Sequence, residues 1–278
     1  FNIMNRYLSI ACIQYTSTKD ETLTLKNIKP FINQAIETGA ELIVSPECAT
    51  TLQENAIITK ELAKPESENL SLQNFIEVAK SNSIYFLVGS LPIKVRNKIV
   101  NRSFLIGPNG GILYRYDKIH LYDVTLPNGD IYQESATYTA GSKAIIATIC
   151  NSIRIGMTIC YDVRFPYLYW DLAQNGAEII MVPSAFSNVT GPVHWHTLLK
   201  ARAIETGCYI VAAAQTGHHQ CGRKTYGHSL IVSPWGEIMK DANKKVGFIN
   251  CQINLDEVQK ARLAIPSLNS KKIYSTNF

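Results

Sequence analysis

Gly39-Ala40-Glu41-Leu42-Ile43-Val44-Ser45-Pro46 returns later in the chain as Gly176-Ala177-Glu178-Ile179-Ile180-Met181-Val182-Pro183. In both copies a glycine suited to ending a helix leads into an uninterrupted apolar run, and a proline follows. A strand without polar alternation is buried on both faces, as at the centre of a parallel sheet. A second pair of segments matches in the same order: Ser103-Phe104-Leu105-Ile106-Gly107-Pro108-Asn109-Gly110 and Ser229-Leu230-Ile231-Val232-Ser233-Pro234-Trp235-Gly236. The chain therefore reads as two related β-α-β-β units. If each unit covers one sheet face with helices, the two remaining faces bury each other, giving a four-layer αββα sandwich of the α/β class.

Around these segments, apolar runs at 8–14, 85–89, 153–159 and 209–213 read as further strands. Helical stripes alternate with them: Leu25, Ile28, Ile32 and Ile36; Leu72, Phe75, Ile76 and Ala79; Leu168 and Leu172; Trp195, Leu198, Leu199 and Ala203. Pro30 inside the first stripe predicts a late helix start or a kink. No low-complexity linker interrupts the pattern, so residues 1–278 read as one domain.

Composition narrows the function. Of 278 residues, 46% are hydrophobic and 18% charged, the balance of a folded protein rather than a disordered or fibrous one. The net charge of +5 comes with no basic run, which argues against nucleic acid as a partner. No apolar stretch reaches the length of a membrane span, so no membrane partner is expected. The seven cysteines are scattered without a CxxC pair, which argues against a disulfide framework and for a reducing, cytoplasmic setting.

Three positions carry candidate chemistry. Cys160 ends the 153–159 run and is followed by Tyr161-Asp162-Val163-Arg164-Phe165-Pro166 and a helical pattern. A strand-to-helix turn there aims the side chain and the following N–H groups into one space, and the helix N-terminus favours a thiolate. The competing reading is a small core hydrophobe. Glu47 follows a buried strand at its C-terminal end, where α/β ligands bind, with a helix cap or a surface charge as the alternative. Lys118, in Tyr114-Arg115-Tyr116-Asp117-Lys118-Ile119-His120, reads on its own as a solvated strand residue.

Taken together, Pro46-Glu47, Asp117-Lys118-Ile119-His120 and Ile159-Cys160-Tyr161-Asp162-Val163-Arg164-Phe165-Pro166 resemble the Glu, Lys and Cys motifs of the nitrilase superfamily of carbon–nitrogen hydrolases, in order and approximate spacing. The resemblance runs from about Leu8 to Ile273. It implies the αββα sandwich, with Cys160 as nucleophile, Glu47 as general base and Lys118 as stabiliser of the tetrahedral intermediate. Glu134, in Tyr132-Gln133-Glu134-Ser135, matches the family's second glutamate; it orients Lys118 or supports proton movement, with a plain salt bridge as the alternative. The residue types suit the reaction: a thiolate attacks an amide carbonyl, Lys118 and the N–H of Tyr161 hold the oxyanion, and Glu47 carries the proton.

Within the superfamily, Pro183-Ser184-Ala185-Phe186, Gly191-Pro192-Val193-His194-Trp195, 200–206, 212–219, Tyr226-Gly227-His228-Ser229 and Pro234-Trp235-Gly236 are most similar to the deaminated glutathione amidases. The expected substrate is a small-molecule amide, deaminated glutathione, giving 2-oxoglutarate and cysteinylglycine. The alternatives are an omega-amidase acting on 2-oxoglutaramate, another amidase or carbamoylase, and a catalytically silent binding or assembly protein. His196 departs from the family pattern, which places Glu there. A substrate bearing carboxylates calls for cations and amide donors near Cys160; Arg164, or else a structural salt bridge at that residue, and Gln215 and His218 in the 215–219 loop are the candidates. Relatives imply a homodimer or a higher homo-oligomer. His194 with His196, and His218 and His219 with Cys221, offer metal ligands, yet neither group has CxxC or HxxxH spacing and the family works without metal. The 107–111 turn lacks the Lys-Ser/Thr of a phosphate loop. Neither metal nor cofactor is expected.

Overall fold

Both copies of the repeated run become the middle one of three parallel strands. The computed structural model describes residues 6–270, 272 and 274–276; both ends of the expected 1–278 unit, and Ile273 where the resemblance stops, lie outside the described residues. The first half lays down β1 (Tyr7–Gln14), α1 (Glu21–Glu37), β2 (Leu42–Val44), α2 (Ala56–Leu62), α3 (Leu70–Asn82), β3 (Tyr85–Val95), β4 (Lys98–Ile106) and β5 (Ile112–Asp117), then a small hairpin, β6 (Asp123–Thr125) and β7 (Ile131–Gln133). The second lays down β8 (Ile145–Ile149), β9 (Ile153–Met157), α4 (Pro166–Gln174), β10 (Ile179–Met181), α5 (His196–Thr206) and β11 (Tyr209–Ala212). It continues with the hairpin β12 (Thr216–His218) and β13 (Lys224–Tyr226), then β14 (Leu230–Val232) and β15 (Ile238–Asp241). Finally β16 (Gly247–Asn254) and α6 (Asp256–Ala264) return to the first half.

The two six-stranded sheets run β16-β1-β2-β3-β4-β5 and β8-β9-β10-β11-β14-β15. Each has an antiparallel edge strand, three parallel strands and two antiparallel strands, so the repeat read in the sequence is a repeat of topology. Alternation along β1 divides its side chains between two cores. Leu8, Ile10 and Cys12 join Leu42, Val44, Ile155, Met157 and Ile179 between the sheets, while Ala11 and Ile13 face Ile28 and Ile32 of α1 and Phe75 of α3. On the far side α4 and α5 cover β9 and β11, completing the four layers.

One helix departs from expectation. α1 starts at Glu21 and runs unbroken through Pro30, because the Asp20 carboxylate caps it by accepting from the N–H groups of Thr22 (2.7 Å) and Leu23 (3.1 Å). Ile28, Ile32 and Ala35 are buried against the sheet on either side of the proline, offsetting the backbone bond it cannot make. The strand expected over 153–159 stops at Met157, leaving a short extended link before Cys160. At Gly89 an added Cβ would lie 2.2 Å from the Ser45 carbonyl oxygen and 2.3 Å from that of Pro46. Only glycine admits that approach, which seats the backbone just before Glu47 against β3. Among the described residues no helix is long and apolar enough to cross a membrane.

Candidate active site

β2 and β9 deliver their C-terminal ends to one rim of the sandwich, and a cleft of about 390 Å³ opens there. Glu47 follows β2, Lys118 follows β5, Glu134 opens a short 3-10 turn after β7, and Cys160 opens another after β9. All four border the cleft, together with Asn101, Tyr122, Tyr132, Tyr161, Phe186 and Arg223.

Lys118, only 2% exposed, is the hub. Its Nζ donates to Glu47 Oε1 at 2.8 Å and to Glu134 at 3.0 Å (Oε1) and 2.8 Å (Oε2). Asn101 Nδ2 bridges the same two carboxylates at 3.1 and 3.0 Å, and the Lys118 N–H donates to the Asn101 carbonyl. The Ala185 N–H reaches Glu47 Oε2 at 2.8 Å, and the Tyr122 N–H reaches Glu134 Oε2 at 2.7 Å. Thus a cation lies between two acids whose oxygens are otherwise occupied, an arrangement that fixes geometry more than it adds stability.

Charge states follow. Burial disfavours the Glu47 anion, but the Lys118 charge and the hydrogen bonds outweigh it and hold the carboxyl below its usual range. Burial also disfavours the ammonium of Lys118, yet Glu134 and Glu47 push its pKa well above that of a free lysine. Cys160 goes the opposite way from the thiolate expected at a helix N-terminus. Burial first, and the Glu47 charge second, raise it well above a normal thiol, with Lys118 only partly compensating. The reason is positional: α4 begins at Pro166, so the 3-10 turn Cys160–Arg164 separates the sulfur from the helix end. At rest the pair is a thiol beside a carboxylate.

Cys160 sits at φ 46°, a region costly for a residue with a side chain. Its N–H donates to the Pro183 carbonyl at 2.9 Å. The fully buried Asp162 braces the turn from below, accepting from the Ile159 N–H (2.9 Å), the Tyr116 hydroxyl (2.7 Å) and the His120 N–H (3.0 Å). Neither Asp162 nor Asn101 stands out in the sequence, since a brace reads as any polar residue until its partners are known.

The remaining candidates divide. Tyr161 borders the cleft, edge-on to Tyr122 with ring centres 5.0 Å apart. Arg164 does not line it and, among the described residues, makes no salt bridge: its guanidinium packs over Phe186 at 5.5 Å and lies 3.2 Å from His194 Nδ1. Gln215 is corrected from substrate contact to structural clamp. It is fully buried, its Nε2 donates to Ser17 Oγ and to the Glu47 and Cys48 carbonyls, and its Oε1 accepts from the Ser17 N–H. With no polar atom left over, it fixes the strap carrying Glu47. His218 is corrected as well: it lies exposed on β12, paired with Lys224, away from the cleft. The expected loop is a hairpin, and its inward position belongs to His219, bonded to the Ser17 carbonyl and Thr225 Oγ1 and held near pKa 4, chiefly by burial.

That hairpin also carries Arg223, whose guanidinium stands at the cleft where the sequence reading places Arg164. It borders the cleft with its guanidinium 5.2 Å from the Tyr132 ring. In Cys221-Gly222-Arg223-Lys224 it reads as an ordinary polar turn, so only tertiary placement reveals it. Among the described residues, the two histidine groups named as possible metal ligands do not converge: His194 meets Arg164, His218 points outward and His219 inward, while His196 joins His228 and Asp241.

Known proteins resemble this chain over nearly its whole length. The family described as carbon-nitrogen hydrolase matches residues 9–263. A deaminated glutathione amidase from Synechocystis sp. is 40% identical over 273 residues, covering 96% of this chain and 99% of that protein. The one from Homo sapiens is 34% identical, covering 95% and 82%. The crystal structure of the C. elegans NitFhit protein superposes with a TM-score of 0.89 at 33% identity, covering 96% of this chain and 66% of the other.

Proposed function

The chain belongs to the carbon–nitrogen hydrolase family, and from that premise we propose that Cys160, Glu47 and Lys118, supported by Glu134, hydrolyse the amide of deaminated glutathione to 2-oxoglutarate and cysteinylglycine. The enzyme is a hydrolase of linear amide C–N bonds. The observation that carries the residue roles is the cluster of Lys118 Nζ between Glu47 and Glu134 beside the Cys160 thiol.

Substrate enters with its carbonyl carbon over the sulfur. Glu47 takes the thiol proton as the C–S bond forms, and the oxyanion is held by the Lys118 ammonium and the Tyr161 N–H. Collapse expels the amine, which leaves with the proton from Glu47, and a thioester remains on Cys160. A water enters, gives its proton to Glu47 and attacks the thioester. The released thiolate recovers that proton from Glu47, closing the cycle with one carboxylate serving both halves. Because Lys118 already carries its charge inside a low-dielectric site, the oxyanion meets a preformed cation and needs no rearrangement.

Arg223 supports a carboxylate-bearing substrate: a guanidinium matches a carboxylate with two parallel hydrogen bonds. Tyr122, Tyr132 and Phe186 offer apolar walls to the chain between the charged ends. The same reading puts the enzyme in the cytoplasm, where its seven unpaired cysteines stay reduced.

The test is a substrate panel of deaminated glutathione, 2-oxoglutaramate, N-carbamoyl amino acids and simple nitriles, with mass analysis of the trapped acyl-enzyme. Deaminated glutathione should give the highest kcat/KM, with the acyl mass on the peptide carrying Cys160, and Arg223→Gln should raise KM for it. Preference for 2-oxoglutaramate would make the enzyme an omega-amidase, and an adduct on Cys48 would overturn the residue assignment.

A further inference from the structure

His196, His228 and Asp241 come from three separate elements and meet on the flank of the sandwich. His196 is the first residue of α5, His228 lies between β13 and β14, and Asp241 ends β15. Asp241 Oδ2 lies 3.2 Å from His196 Nε2 and 3.0 Å from His228 Nδ1, so both imidazoles address one carboxylate oxygen. One donor atom from each residue falls within 4.8 Å of the other two. We propose that these three side chains form a binding site for a divalent transition-metal ion of the zinc class, outside the catalytic cleft.

The donor set is the argument. Two imidazoles and a carboxylate form the N,N,O set preferred by borderline metals such as zinc, nickel and cobalt, whereas magnesium and calcium take oxygen. Zinc bonds of about 2.0–2.2 Å place tetrahedral donors about 3.4 Å apart. The two nitrogen-to-oxygen separations, 3.2 and 3.0 Å, are close to that value, and the nitrogen-to-nitrogen separation lies within 4.8 Å. Asp241 is also held in a fixed orientation, because the Asn243 N–H donates to its other oxygen, Oδ1, at 2.7 Å. His228 is braced by stacking on Tyr226, with ring centres 4.4 Å apart. Side-chain exposures of 29%, 14% and 25% for His196, His228 and Asp241 leave an entry path and room for water as a fourth ligand.

The site has a structural reach. α5 follows the π-helical turn Gly191–Trp195, which in turn follows Ser187 and Thr190 on the cleft wall. An ion held by His196 therefore ties the start of α5 to the β13–β14 link and to β15, and it stabilises the folded state more as its occupancy rises. Sequence spacing conceals this, because the ligands lie 45 and 13 residues from Asp241 and no short motif contains two of them.

Cobalt(II) chloride is the probe, since its visible spectrum separates nitrogen and oxygen ligation from thiolate ligation at any of the seven cysteines. Titration of the full chain should give one equivalent bound, with ligand-field bands and no intense near-ultraviolet thiolate band, and a rise in Tm. His196→Ala and Asp241→Asn should each weaken binding by more than the roughly 10–100-fold that loss of an outer partner costs, and His196→Ala should abolish the Tm rise. The proposal is overturned if no cobalt binds, if both variants bind as the wild type does, or if the band reports sulfur.

Discussion

The two halves reach the same rim by the same backbone path and place opposite kinds of residue on it. After β2 the first half continues Ser45-Pro46-Glu47; after β10 the second continues Val182-Pro183-Ser184. Glu47 turns into the cleft toward Lys118, whereas Ser184, fully buried, folds its hydroxyl back onto the Val182 carbonyl at 3.0 Å. The hairpins diverge too: β6–β7 leads into Glu134 and β12–β13 brings Arg223, an anion from one half and a cation from the other. Repetition supplies the scaffold, and departures from it set which charged groups line the cleft.

The sharpest way to break this contrast is a matched pair of substitutions. Glu47→Gln keeps size but cannot carry a proton, so kcat should fall about 10²–10⁴-fold with the fold retained by circular dichroism. Ser184→Ala at the corresponding place should leave kcat/KM essentially unchanged and cost about 1 kcal/mol in urea unfolding. Similar losses of rate in both would mean the halves share the work.

Lys118→Ala comes next. Losing this oxyanion donor should lower kcat about 10²–10³-fold. It also removes the charge that keeps Glu47 ionised, so the acid limb of the kcat/KM profile should move to higher pH. An unmoved limb would detach Glu47 from the proton-transfer role.

The smallest effect concerns the hairpin of the second half. His219 is buried with a pKa of about 4, whereas an unfolded histidine titrates near 6.5. As pH falls the unfolded chain takes up the proton first, so stability is intact above about 6.5 and is lost progressively down to about 4. The loss should reach about 2 kcal/mol at pH 5, read as a lower urea midpoint. His219→Gln, which has no titrating ring, should flatten that slope; an unchanged slope would assign it to other groups.

What the sequence reveals here depends on how local the cause is. Strand-forming runs and turn prolines are local patterns, and the repeat compares two sets of them, so most central strands and the two-unit plan can be read, whereas the place of β16 beside β1 cannot. Glu47, Lys118 and Cys160 stand at element ends, where topology brings side chains together, and their motifs resemble a family. The residues that escape a linear reading depend on direction. Gln215 lies on the right strand end but points into the seam, and Arg223 sits in a turn that sequence alone leaves in solvent. The protonation of Cys160 departs from expectation for a related cause: burial and Glu47 are tertiary facts, and they outweigh a helix end that the 3-10 turn holds at a distance.

The antiparallel register joining Tyr7 to Asn254 and Gln14 to Gly247 has a consequence for synthesis. β1 emerges from the ribosome before the other elements of its sheet, yet its edge partner β16 is translated only after the whole second half. Until then the nascent chain carries an open edge of main-chain donors and acceptors, the kind of surface that pairs with stray strands. The first sheet therefore cannot close until β16 has been made, after the whole second half. Fragments cut between the halves should aggregate rather than fold, and a rearranged gene that places β16 directly before β1 should shorten the interval of exposure.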